Sequence, residues 1–327
     1  MSHVARRSYA HTSQNTNEED IKKILAQPKW QTVEIAISDK DLVDNIEFLD
    51  DAVVLRCSAE GVPLMTTTAI YGPINPGDKV MLTPGQGTGV TVVEHNYTGD
   101  RLITKLEELQ RAAPQPKKGN SITVNANWVS SKDGGALPNL DASANVFGST
   151  GSLYVNDPSV TLPVLDVTHP DYHQTLAFYA GKLLQPREEF FMGFNLVLFG
   201  VEYDTSLPDY ITDYAMSPSG GGGLFVEHHP FPHIFMPKPT VHGEEFCEAR
   251  VTLGRKVENS DPAKPQFTFT TFKVPSDGSA LVIKPDTIHN DSFTNGRLAV
   301  FVANTAADTV AFRETAPFKA INIKDAV

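Results

Sequence analysis

The sequence predicts a mainly β protein. From Thr32 onward, short β-branched runs recur between Gly, Pro, Asn and Asp, as strands do. Apolar residues at helical spacing are confined to a few short stretches. No apolar run is long enough to cross a bilayer, so no membrane partner is expected.

Taken in order, residues 1 to about 18 are polar and aperiodic and predict a disordered tail. A short helix is expected over residues 18–27, stopped by Pro28. Strands are expected at Val53, Val54 and Leu55, at Lys79 to Leu82, and at Val90 to Val93. Leu102, Ile103, Leu106 and Leu109 predict a helix over residues 100–112, followed by a linker at 114–119. Residues 120–168 read as strands and loops, and 173–184 as an amphipathic helix ended by Gln185 and Pro186. Residues 190–201 read as one apolar strand, and four consecutive glycines mark a flexible turn within 217–223. Four or more strands fill 224–303, with a polar loop at 259–265, and a final strand or tail follows Thr305. The expected organisation is a tail and short helix over 1–30, a β-rich N-terminal region over 31–185, and a barrel over 186–327.

Composition narrows the function. The 327 residues suffice for one large or two moderate domains, and 40% hydrophobic with 20% charged residues is a globular balance. A net charge of -12 opposes nucleic acid and anionic membranes as partners. Two cysteines, Cys57 and Cys247, are too few for a disulfide framework, and residues 1–19 lack the apolar run of a signal peptide; a cytoplasmic location is the expectation. Pro84, Gly85, Gly87 and Gly89 tempt a dinucleotide-binding reading, but the β-branched run that follows predicts a strand where that site needs a helix.

Chemistry concentrates in three places. Over residues 242–253, alternation puts His242, Glu244 and Glu248 on one face of a strand and Glu245 on the other. Two carboxylates and an imidazole on one face are costly to bury unless paired or bound to a cation, and the plain alternative is a wet face. His289 follows the apolar run Leu281, Val282, Ile283 and the turn at Pro285, where it is expected to face a cavity. Upstream, His228, His229 and His233 interleave with Pro230, Phe231 and Pro232. His229 and His233 share a face in an extended chain, as a pocket rim, as substitute ligands, or as part of a rigid surface loop.

The strand at 242–253 and the segment from Gly278 to His289 together resemble the cupin superfamily. Its first motif runs Gly, five residues, His-x-His, three or four residues, Glu, six residues, Gly. Here His242-x-Glu244, then Glu248 and Gly254, nearly fits, with Glu244 in place of the second His. The second motif runs Gly, five residues, Pro-x-Gly, two residues, His; Gly278 to His289 has the same overall length with Pro285 one place late. The resemblance covers roughly residues 220–305. It implies a double-stranded β-helix (jelly-roll) barrel, with a degenerate second barrel as one form of the N-terminal region. It implies metal ligation by His242, Glu244, Glu248 and His289, with His228, His229 and His233 as second-rank pocket residues and His289, Glu245 and Glu248 as acid–base groups. Another register places Lys238 and Thr240 at the ligand positions and implies no metal.

The implied activity is isomerisation, dehydration or lyase cleavage of a small oxygenated molecule with Fe, Mn, Zn or Ni. The alternatives are an Fe(II) dioxygenase, a metal-free acid–base isomerase or cyclase, and a non-catalytic ligand-binding barrel. A homodimer is the family's implied assembly.

Overall fold

The structure, a computed structural model, describes residues 17–83, 89–130, 151–155, 160–207, 209–217, 224–238, 249–305, 307–313 and 322–325. The first helix, α1 (Glu18–Leu25), starts where the Asn17 side chain accepts from the Asp20 amide. A 3₁₀ turn at Pro28–Trp30 and strand β1 (Glu34–Ala36) lead to α2 (Asp39–Ala52), a helix the sequence reading did not anticipate. Its signal is present: Ser38 caps it, and Leu42, Ile46 and Leu49 share the buried face. Strands β2 (Leu55–Cys57), β3 (Pro63–Ile74), β4 (Lys79–Leu82) and β5 (Val90–Glu94) follow, then α3 (Leu102–Ala112), which buries Leu102 and Leu106. Next come β6 (Ile122–Val129), β7 (Gly151–Val155) and β8 (Thr161–Asp166).

Two expectations need correction here. The helix expected over 173–184 is α4 (His173–Phe178) and then a strand, β9 (Gly181–Leu184). Ala180 takes a left-handed φ of 56° that ends the helix, and β9 then pairs with a later strand, a tertiary partner that local periodicity cannot reveal. The single strand expected over 190–201 is two, β10 (Glu189–Phe191) and β11 (Leu198–Asp204), which join different sheets.

The rest of the chain is β12 (Phe225–His228), β13 (His233–Lys238), β14 (Ala249–Lys256), β15 (Gln266–Val274), β16 (Ala280–Ile283), β17 (Ile288–Asn290), β18 (Arg297–Val302), β19 (Asp308–Arg313) and β20 (Asn322–Asp325).

Among the described residues the strands form three sheets. One has eight strands, in the order β1-β3-β11-β18-β13-β16-β9 with β2 paired to β3. A second contains seven strands that close on themselves: β14-β17-β12-β19-β7-β6-β15, and β15 pairs back to β14. The barrel expectation is met in this ring; β8 and β20 extend from it. The third is the small sheet β10-β4-β5. Strands from both sides of residue 185 share both large sheets.

The two faces of the ring bury different cores. Val124, Ala126, Leu153, Val226, Phe267, Phe269, Ile288, Val310 and Phe312 come from six of its strands and fill the lumen. Gly254 faces the same way: a Cβ there would lie 2.4 Å from the Phe269 ring and 2.9 Å from Ile288. The outer wall presents Ala249, Val251, Leu253, Phe272 and Val274 to Val201, Phe235, Leu281, Ile283, Leu298 and Val300 of the eight-stranded sheet. Ring and sheet therefore form a sandwich, and its apolar interlayer is the setting of the site.

Candidate metal centre

Ile288 and Val226 point into the ring. Alternation sends their neighbours, His289 and Glu227, to the opposite face and so into the sandwich. The two are direct partners across β12 and β17, and His289 Nε2 lies 3.6 Å from Glu227 Oε1. His233 opens β13 on the facing sheet, on the same side as Phe235. His229 occupies the turn between β12 and β13, where Pro230 and Pro232 restrict the backbone. The Asp286 amide donates to the His229 carbonyl at 2.8 Å, tying this turn to the one that precedes His289.

Three imidazoles thus meet. The ring centroids are 4.7 Å apart for His229–His289, 4.9 Å for His233–His289 and 5.0 Å for His229–His233. One nitrogen from each ring lies within 4.8 Å of the other two, close enough to hold a metal ion. Phe231 stacks on His229 at 3.5 Å, and Phe235 borders both His233 and His289.

Hydrogen bonding sets the tautomers. His289 Nδ1 faces the Thr287 carbonyl at 2.8 Å, and His229 Nδ1 faces the Phe231 carbonyl at 3.0 Å. A carbonyl only accepts, so each Nδ1 carries the proton and each Nε2 offers a lone pair. Those two Nε2 atoms and His233 Nδ1 are buried without a hydrogen-bond partner. An unsatisfied buried polar atom costs about 1–3 kcal/mol, so three at one point call for a shared partner. Burial, the largest influence, holds His229 down to about 2, His289 down to about 4, and His233 well below the ordinary imidazole value. All three are neutral at physiological pH, the form that binds metal. The donor set fits a divalent transition ion, since imidazole suits Zn, Fe, Ni and Cu.

Two carboxylates flank the imidazoles. Glu227 Oε2 accepts from the Thr309 hydroxyl at 2.9 Å, which leaves Oε1 on the His289 side. Burial, and then the charge of Glu227, push Asp291 up to about 6.

Of the residues singled out from sequence, His289, His229 and His233 come together. His228 does not: it faces the lumen side of β12, where its ring contacts Trp128 at 5.3 Å and lies 3.7 Å from both Asp286 and Asp308. His242, Glu244, Glu245 and Glu248 lie outside the described residues, as does Cys247. In the described part of β14, Leu253 is the residue opposite His289. Glu227 and Asp291 were missed as site residues. A signal for Glu227 was present: Glu227-x-His229, three residues, His233 repeats the His-x-His, three residues, Glu spacing with Glu and His exchanged.

Comparison with known proteins finds no matching family model, no matching curated protein and no matching solved structure. No helix among the described residues is long and apolar enough to cross a membrane.

Proposed function

We propose that the protein is a metal-dependent enzyme of the cupin type, acting on a small oxygenated organic molecule by isomerisation, dehydration or lyase cleavage. The observation that carries this reading is the convergence of three unpartnered, neutral ring nitrogens in a buried interlayer. His229, His233 and His289 would hold the ion, with Glu227 beside it as fourth ligand or proton acceptor. This is the three-His, one-Glu donor set of the superfamily, in another register than the 242–248 strand. A bound ion would supply Lewis-acid polarisation of a substrate carbonyl or hydroxyl. Glu227 and Asp291 supply the proton-handling groups. Asp291, with its affinity for a proton raised to about 6, suits acid–base work near neutrality.

Iron-dependent oxidation of the same kind of molecule is a second reading. Phe231 and Phe235 against the imidazoles favour it, because an apolar, enclosed wall suits chemistry that must exclude water.

Elemental analysis of the purified protein tests the metal. About one Fe, Mn, Zn or Ni per chain is expected, lost in His229→Gln, His233→Gln and His289→Gln variants. Metal-free protein that stays empty after incubation with each ion, or variants that retain full occupancy, would overturn the proposal. If metal binds, turnover of candidate substrates with and without O₂ separates the two reactions.

A further inference from the structure

Thr309, Glu227 and His289 are direct neighbours across three adjacent strands, β19, β12 and β17. Val310, Val226 and Ile288 beside them point into the ring, so all three turn to the interlayer, with Leu253 next in the row. The Thr309 hydroxyl donates to Glu227 Oε2 at 2.9 Å, and Glu227 Oε1 stands 3.6 Å from His289 Nε2. That nitrogen keeps its lone pair, because the ring proton sits on Nδ1 against the Thr287 carbonyl. Two metal–ligand bonds of about 2.1 Å at a near-tetrahedral angle set their ligand atoms about 3.4 Å apart. The spacing of Oε1 and Nε2 therefore suits two atoms that share one ion.

The outer end of a glutamate is loosely determined. Its last torsion has broad, roughly two-fold preferences, so an untethered carboxylate can turn either oxygen, or both, towards an ion. Threonine is β-branched and stiff at χ1, and Thr309 is fully buried, so its hydroxyl is a fixed anchor on the neighbouring strand. We propose that Thr309 is a positioning residue of the metal centre: it holds Glu227 Oε2, so that Oε1 alone meets the ion beside His289. This rests on the metal-centre reading above and adds to it the oxygen ligand, its one-oxygen mode and the residue that imposes that mode. Partners that hydrogen-bond to a metal ligand change metal affinity by about 10- to 100-fold when they are removed.

The test uses the full chain, freed of metal, and reads its affinity for Co²⁺ by competition with a chromophoric chelator. Thr309→Val keeps the shape of the side chain and removes the hydroxyl; affinity should fall about 10-fold or more. Thr309→Ala carries the same expectation and serves if the valine variant does not fold. Thr309→Ser keeps the hydroxyl and should stay within about threefold of the unmodified chain. Glu227→Gln should weaken binding at least as much as Thr309→Val. Combining the two should add little, because Thr309 acts only through the carboxylate. Unchanged affinity in Thr309→Val, or an equal loss from it with and without Glu227→Gln, would overturn the role of Thr309 alone. Full affinity in Glu227→Gln would overturn the oxygen ligand and leave the three imidazoles standing. Failure of the unmodified chain to take up cobalt would overturn both this role and the metal centre, so the failures are distinct.

Discussion

Glu202 and His289 are both about 2% exposed or less, and both belong to strands that face the sandwich, yet they are provided for in opposite ways. Glu202 accepts from Thr68 Oγ1 at 2.9 Å, Tyr71 OH at 3.0 Å and Arg297 Nε at 2.8 Å, and Arg297 Nη2 also reaches it. His289, with His229 and His233, aims a buried nitrogen at the others and finds no donor. A buried polar group with all its partners supports the fold. Several that lack partners and converge point to a missing guest.

The contrast can be broken most severely at Glu202. Glu202→Ala leaves Arg297 beside an empty half-buried position and should cost about 3–5 kcal/mol in urea unfolding; a loss under about 1 kcal/mol would deny the cluster its structural role. Acid should act on the other region. His289 binds its proton at about 4 when folded and near 6.5 when unfolded. The unfolded chain therefore takes up more protons between those values. The metal-free protein should lose on the order of a few kcal/mol as pH falls from 6.5 towards 4, while from 6.5 upward these imidazoles add no slope. Replacing all three histidines with Leu should flatten that profile, and an unchanged slope would assign the acid sensitivity elsewhere.

Metal should reverse the deficit. At a free concentration of about 100 times its dissociation constant, an ion that binds only the folded state adds about 2.7 kcal/mol. Thermal melting before and after EDTA reads this directly, and the shift should be absent in His233→Gln. The smallest effect sharpens the comparison best. In metal-free protein at pH 8, His289→Leu should cost only about 1 kcal/mol, because the lost Nδ1 bond to the Thr287 carbonyl is offset by removal of Nε2, a buried atom with no partner. A loss as large as that of Glu202→Ala would make His289 a structural residue like Glu202.

Local chemistry made much of this legible. The β-branched runs at 79–82 and 90–93 are strands, and Leu102 and Leu106 mark the buried face of α3. His289 and the His229/His233 pair stood out because imidazoles beside an apolar run, or interleaved with prolines, are uncommon. The pairing of Glu227 with His289 was not legible, since strands so distant in sequence meet only through the closure of the ring. The acidic 242–248 stretch drew the motif match instead, because it offers more ligand-type residues, although Glu227-x-His229 and His233 keep the spacing. The helix α2 was hidden by its charged residues, which crowd its solvent face and mask the Leu42, Ile46 and Leu49 stripe.

The two carbonyls that accept from His229 and His289 have a kinetic consequence. Each imidazole is held in its receptive orientation before any ion arrives, and the hydrogen bond from the Asp286 amide to the His229 carbonyl keeps the two supporting turns in step. Capture then forfeits little side-chain freedom. Loading should need little rearrangement of the ligands themselves, and ions should be sorted by how well they accept a nearly fixed triangle of donors.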